Sequence, residues 1–508
     1  MNIRNWCVTS VLALALVGCA VNPVTGKREL SLVSPEQEVA IGQQQYGPSQ
    51  QSQGGRYYLD PDLQVYVRGI GQKLAAVSHS PNLPYEFVVL NNPVPNAWAL
   101  PGGKIAVNSG LLMELDNEAE LAAVLGHEIV HAAARHGASQ MTRGQLLNLG
   151  VGILGVATAG SDYGQLANVA SQFGAAAWMA RYGREDELES DAYGMEYMAK
   201  VGYDPMGAVT LQQTFVRLSE GRDQGGMAAL FASHPPSQQR VDENRAKAKT
   251  LPGGNLYRER YQRAIAQLKR DAPAYKAQAE AAKALKNKDG KAALAHLDEA
   301  IRIQPREGQF WEYRGHAWNM LKNYDNAATA YGTAISKNPD YFAPYLYRGM
   351  VRVEQKKYAE AKPDITKAHS ILPNATSAYY LGEIAYQQGD SKTAANYFKQ
   401  VAEAGGEVGK KAQERLLEMQ LKDNPAALIQ HRLVLNNQGY LVVMLYNSAP
   451  VALTDVVVQV SDGVRSRQIN AGKIGARQQV NLPTEIGPFT DAGQAGNLRA
   501  AVTSARAQ

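Results

Sequence analysis

Three prolines, Pro305, Pro339 and Pro373, stand 34 residues apart, and the residues around them keep the same step. Ala293, Ala327, Ala361 and Ala395 recur at that interval, as do Ala300, Ala334, Ala368 and Ala402, and Arg314-Gly315 returns as Arg348-Gly349. This period fits a helix–turn–helix unit in which small residues let paired helices approach closely and a proline ends the second helix. One such unit cannot bury its own apolar face, so neighbours must stack into a helical solenoid. The array is expected over 273–420, with three to four repeats. Gly382 falls one residue early, which reads as a deletion compensated by an insertion in the last repeat.

At 508 residues the chain has room for about three domains. Between 19 and 265, strand patterns at 85–90, 96–100 and 104–108 give way to helical patterns from Glu118 onward. This region is expected to be an α+β domain, mostly helical. The turn-forming run Pro101-Gly102-Gly103 separates the last two strands as a hairpin. It and the strand after it could offer an edge against which an unfolded substrate aligns by main-chain hydrogen bonds. From 428 to 508, alternating apolar and polar residues between turn-rich breaks predict a small all-β domain. The segment 150–178 is rich in Gly and Ala, but Asp162 and other polar residues interrupt it, which argues against a transmembrane span.

The N-terminus has the layout of a secretory signal over 1–18: Arg4, an apolar run from Val11 to Val17, then Gly18 and Cys19. Leu16-Val17-Gly18-Cys19 resembles the bacterial lipobox, in which acylation of the cysteine supplies a membrane anchor. Ala20, not Asp, follows, and by resemblance to enterobacterial sorting this implies the outer membrane. Cys7 leaves with the signal and Cys19 is capped, so no thiol is left for a disulfide. A net charge of +5 without a dense Lys/Arg run gives no reason to expect nucleic-acid binding.

The chemistry is concentrated in "LAAVLGHEIVHAAARHG" (121–137), an apolar helical run that holds four groups costly to bury. His127 and His131, at i and i+4, lie about 40° apart around a helix, so both imidazoles can reach one metal. Glu128 projects from the same turn, where it can meet a water molecule at the ion. His136 falls roughly 180° from His127 and is expected to be a capping or structural residue, with Gly137 ending the helix. A third ligand must come from elsewhere, and Glu187 and Asp191 share one helical face in "RYGREDELESDAYG" (181–194). They are expected at the edge of the core, beside an apolar stripe of Leu188, Ala192, Met195 and Ala199, with Gly194 permitting close helix packing and Glu189 pointing away. His234, in "FASHPPSQQR", could approach the ion, either to stabilise an oxyanion or to occupy its open position.

These motifs, with "GYDP" (202–205), "NPVTGKRELSLVSPEQEVAIG" (22–42) and "NAWALPGGKIAVNSGLL" (96–112), resemble the gluzincin peptidases related to HtpX and the CAAX prenyl proteases, in particular soluble lipoprotein-type members with tetratricopeptide repeats. The resemblance covers 22 to about 250 and the repeats in kind. Gly183, where many relatives have Ser, and Ser190, for Ala in Glu-Ala-Asp, are small-for-small departures.

The resemblance implies a zincin-type fold with one zinc ion per subunit. His127, His131 and Glu187 would be its ligands, Glu128 the general base, and Asp191 a residue that orients a ligand or assists proton transfer. It further implies degradation of misfolded or stalled outer-membrane proteins in the periplasm, with repeats that recruit clients or the assembly machinery. The rival expectation is a chaperone or assembly scaffold in which proteolysis is minor.

Overall fold

The computed structural model describes residues 19–143, 182–220, 228–489 and 498–507. The signal 1–18 and the Gly/Ala-rich stretch 150–178 lie outside the described residues. The chain divides into two compact units, up to Arg348 and from Gly349, so the division falls inside the repeat array.

The first unit opens with a short antiparallel hairpin, β1 (Cys19–Val21) and β2 (Arg28–Leu30). Helix α1 (Pro35–Ser52) starts in a capping box of Ser34 and Gln37 with proline at its first position, and α2 (Pro61–Ala76) starts on Asp60. Strands β3 (Glu86–Leu90), β4 (Ala97–Leu100) and β5 (Lys104–Asn108) form one sheet in the order β3-β5-β4. β3 runs parallel to β5, and β4 antiparallel to it.

This order corrects the expected substrate edge. β5 is the central strand, with both edges already paired; of the two edge strands, β3 is bridged by Arg56 at Leu90, and β4 is the other. The hairpin turn is buried as well, because α1 lies across it. A Cβ on Gly102 would stand 2.7 Å from Val39 Cα, and one on Gly103 would stand 2.7 Å from the Tyr85 ring. Both glycines have positive φ, 73° and 81°, so the turn needs them for backbone reasons. Pro101, Gly102 and Gly103 are thus packing residues beneath α1.

After α3 (Ser109–Glu114), helix α4 (Glu118–Ala133) starts on the Asn117 side chain and is buried at every residue. A helix enclosed on all sides has no solvated face for polar groups, so its histidines and glutamate must find partners inside. α5 (Arg184–Lys200) crosses it at a pair of glycines, Gly126 and Gly194. Its buried residues are Glu187, Ser190, Asp191, Gly194, Met195, Tyr197 and Met198, whereas Leu188, Ala192 and Ala199 are only half-buried. The two carboxylates therefore sit on the buried face rather than at the edge of the core. α6 (Met206–Glu220), α7 (Ala228–Ser233) and α8 (Gln238–Ala248) complete this lobe, and α6 and α8 pack together.

The repeats follow. α9 (Arg258–Ala264) leads to α10 (Ala266–Lys286) paired with α11 (Gly290–Ile303), then α12 (Gly308–Met320) with α13 (Tyr324–Lys337). Pro305 and Pro339 stand two residues past α11 and α13. α14 (Phe342–Glu354) crosses the division between units.

In the second unit, α15 (Tyr358–Ile371), α16 (Ala375–Gln387), α17 (Ser391–Ala404) and α18 (Gly406–Asp423) continue the array. The turn residue with positive φ recurs at Lys288, Lys322 and Lys356, then one position early at Gly389. The fully buried small residue likewise moves from Ala293, Ala327 and Ala361 to Ala394, not Ala395. The expected compensating insertion is absent: from Gly382 onward the last repeat runs one residue early throughout.

The chain ends in two antiparallel three-stranded sheets. β6 (Ile429–Leu435), β7 (Leu441–Asn447) and β10 (Gln479–Pro483) form one, in the order β10-β7-β6. β8 (Leu453–Ser461), β9 (Ser466–Ile474) and β11 (Arg499–Ala507) form the other, in the order β11-β8-β9. Leu441, Val443 and Leu445 share a core with Val456, Val458 and Val460.

Candidate metal centre

α4 presents His127 and His131 one turn apart, with their Nε2 atoms 3.0 Å from each other. α5 brings Glu187 to both: Oε2 lies 3.5 Å from His127 Nε2, and Oε1 lies 3.4 Å from His131 Nε2. The segment after α7 adds His234, whose Nδ1 is 3.2 Å from His127 Nε2 and 3.0 Å from Glu187 Oε1. One ligand atom from each of these four buried side chains falls within 4.8 Å of the others. Glu128 stands beside the cluster, with Oε1 3.5 Å from His234 Nε2. Cys19 is far away in sequence, in the N-terminal hairpin.

The surroundings fix the orientation of the cluster. His127 Nδ1 lies 2.9 Å from Asp191 Oδ1. Arg240, on α8, donates to both Asp191 oxygens at 2.7 and 2.8 Å, and Asn244 donates to Oδ2 at 3.3 Å. Arg240 Nη1 also lies 2.7 Å from Glu187 Oε2, at an angle that makes no hydrogen bond. Tyr182 stacks on His131 with 3.8 Å between ring centres. A small cavity lined by Glu128, His127 and Ala97 of β4 opens beside the site.

Burial and charge set the protonation of these groups. Burial pushes Glu128 up. Burial drives the His131 imidazole well down. For Asp191, burial is outweighed by the Arg240 guanidinium and the carboxyl is held low. Burial is also overcome at Glu187, where His234 and His127 hold the carboxyl well below its usual range. His234 is raised, since Glu187 and Glu128 outweigh its burial.

The donor set fits a divalent ion. Imidazole nitrogens and a carboxylate converge in a buried site, where Glu128 Oε2 has no hydrogen-bond donor and Glu187 Oε2 has only the Arg240 guanidinium beside it. Burial of acceptors at this density is costly unless a cation completes them.

The expected site residues are thus distributed unevenly. His127, Glu128, His131, Glu187, Asp191 and His234 are gathered within one cluster, and Pro101, Gly102 and Gly103 are not part of it. The helix break differs from the expected one. α4 stops at Ala133, Arg135 takes φ 63°, and a new helical segment starts at residue 136, before Gly137. This break turns His136 back toward the site, where its Nδ1 lies 2.9 Å from His131 Nδ1. Arg240 was not anticipated. Two buried carboxylates one turn apart call for a counter-cation, and Ser237 as an N-cap places an arginine at the third position of the following helix.

The fold and this cluster define a metallopeptidase that carries helical repeats. The family model of peptidase family M48 matches residues 61–248, and a tetratricopeptide-repeat model matches 279–342, 321–364 and 346–408. The chain belongs to peptidase family M48, whose members are metal-dependent. It is 32% identical over 240 residues to the mitochondrial metalloendopeptidase OMA1 of Schizosaccharomyces pombe, which covers 47% of this chain and 68% of that protein. It is 32% identical to a putative beta-barrel assembly-enhancing protease of Vibrio cholerae, over 38% of this chain and 40% of the relative. The beta-barrel assembly-enhancing protease of Escherichia coli (strain K12) is 29% identical, over 40% of this chain and 44% of its own length. The chain therefore spans less than half of either bacterial relative.

Proposed function

We propose that this protein is a zinc endopeptidase in which His127, His131 and Glu187 hold the ion. The observation that carries this reading is the convergence of four ligand atoms within 4.8 Å, with a general base beside them. Zinc, when bound, supplies a Lewis acid that polarises a peptide carbonyl and acidifies water. Glu128, raised by burial and with one oxygen unpartnered, takes the proton of the attacking water and returns it to the leaving amine. Asp191 accepts the Nδ1–H of His127, which keeps Nε2 free to face the ion, and Arg240 keeps Asp191 ionised.

His234 restrains the reaction. A catalytic site needs one open position, and His234 Nδ1, one of the four converging ligand atoms, would fill it. An extended substrate segment pairs with the free edge of β4, whose Ala97 lines the same cavity as His127 and Glu128.

In the cell, a lipid on Cys19 anchors the protein to the outer membrane, facing the periplasm. It degrades misfolded or stalled outer-membrane proteins, and its repeats recruit clients or the assembly machinery. The lipobox-like run and the names of the bacterial relatives support this reading. Among the described residues no helix is long and apolar enough to cross a membrane. A second reading, a chaperone or scaffold with minor proteolysis, draws on the same His234, which makes the closed site the resting one.

Glu128→Gln tests the proposal. Casein digestion by the zinc-loaded protein should fall by about 10²–10⁴-fold while stoichiometric zinc is retained. Removal of zinc with a chelator should abolish digestion by the parent. Digestion that survives both treatments would overturn the proposal.

A further inference from the structure

Two imidazoles that face one ion must have their far nitrogens held, and here the two are held by different means. On His127 a carboxylate, Asp191, does this directly. On His131, the neighbour at Nδ1 is a second imidazole, His136, 2.9 Å away. The far nitrogen of His136, Nε2, lies 3.3 Å from Glu189 Oε1. That oxygen accepts a hydrogen bond from Asn22 Nδ2 at 3.0 Å. Asn22 also donates to Glu29 Oε1 at 3.1 Å, and Glu29 Oε2 accepts from Ser139 at 2.7 Å.

The direction of this chain is determined by its ends. Asn22 Oδ1 accepts from the backbone N–H groups of Val24 and Thr25, so its amide nitrogen must face the carboxylates. At the other end, His131 Nε2 faces the cluster and needs its lone pair for an ion, so the proton sits on Nδ1. His136 must then accept at Nδ1 and donate from Nε2 toward Glu189. His131, His136 and Asn22 are 1%, 2% and 2% exposed, which leaves little water to substitute for a missing member.

We infer that His136, Glu189 and Asn22 are positioning residues for His131, and that the hairpin beginning at Cys19 is thereby a working part of the metal centre. This rests on the metal-centre reading above. Asn22 directly follows β1, and Glu29 lies within β2, so the loop between the strands carries the last link of the chain. Glu189 is on the side of α5 opposite to the ligand Glu187, so one helix supports the ion from both flanks.

The test is zinc affinity by competition with a calibrated chelator on the purified full chain, with unfolding of the zinc-free form followed in parallel. His136→Phe, which keeps the ring volume but removes both nitrogens, should raise the zinc dissociation constant about 10–100-fold. His136→Asn keeps an acceptor toward His131 and should lose less than His136→Phe, the reverse of what a packing role would give. Asn22→Ala and Glu189→Gln should each weaken zinc binding about 10-fold. Asn22→Ala combined with Glu189→Gln should cost no more than the worse single change, because the two act in series. Each variant leaves buried partners unpaired and should also lower the zinc-free unfolding midpoint, whereas the order of zinc affinities, His136→Asn above His136→Phe, reads the positioning role. Stoichiometric zinc on the parent with unchanged affinity in His136→Phe, Glu189→Gln and Asn22→Ala would overturn this inference alone. No stoichiometric zinc on the parent would overturn the metal centre and this inference together.

Discussion

His234 is the residue on which the proposed state of the site turns. It stands among the ligand atoms, its charge is favoured by Glu187 and Glu128, and it follows a short helix immediately before Pro235 and Pro236. If it restrains hydrolysis, His234→Ala should raise casein turnover by several-fold at unchanged zinc content. Equal turnover by parent and variant, measured as initial rates, would remove the restraint from the account. At this scale the sequence was informative where periodicity acts. The i, i+4 spacings of His127 and His131, and of Glu187 and Asp191, each put two side chains on one helical face. It was silent about Arg240, Asn244 and Asn22, and for Glu189 it gave a direction but no partner, because their roles arise from contacts between segments far apart in the chain. His136 was misplaced for a local reason. The angle from His127 assumes an unbroken helix, and Arg135 adopts a left-handed conformation that few non-glycine residues take.

At the scale of elements, the centre depends on how closely α4 and α5 approach. Gly126 and Gly194 set this distance: a Cβ on Gly194 would lie 3.0 Å from His127 N and 3.1 Å from Gly126 C. Backbone atoms cannot swing aside as a flexible side chain would, so the helices must separate by a few tenths of an ångström. Gly194→Ala should therefore cost about 1–3 kcal/mol of stability and lower zinc affinity by more than that loss alone explains. Chelator competition beside thermal unfolding checks this, and an unchanged zinc affinity would show that the helix spacing does not govern the site. Sequence patterns located the three strands here and the hairpin between two of them. They did not give the strand order, because β3 reaches β5 through a parallel pairing that no short-range signal encodes. That pairing makes β5 central and leaves β3 and β4 as the edges.

For the whole molecule, the 34-residue step made the repeats legible, but it gave no sign of how the array joins the catalytic lobe. One point of the join is a buried carboxylate. Glu307, fully buried, accepts hydrogen bonds from Asn91 Nδ2 at 3.0 Å, Tyr275 OH at 2.7 Å, Tyr58 OH at 3.2 Å and the backbone of Gln309 at 2.9 Å. Tyr58 and Asn91 belong to the catalytic lobe, Tyr275 to α10 and Gln309 to α12. Glu307→Ala takes the acceptor from Asn91 Nδ2 and the Gln309 N–H, while Tyr58 keeps Arg306 O and Tyr275 keeps Asn91 Oδ1, and it should cost about 1–3 kcal/mol, read as a lower unfolding midpoint of the full chain. Burial raises the Glu307 carboxyl above its usual value. Its stabilising contribution is therefore complete below about pH 4.5 and falls as pH rises through the raised value. The gap between parent and Glu307→Ala should accordingly be widest in acid, and a gap that widens toward alkali would contradict this sign.

A knot of this kind denies the first repeats the freedom of a hinge. If the repeats recruit clients as proposed, a polypeptide held on α10 to α13 would meet the hydrolytic cleft at a span set by packed helices, as on a ruler rather than a leash. The interval between grip and cut would then belong to the enzyme and not to the client.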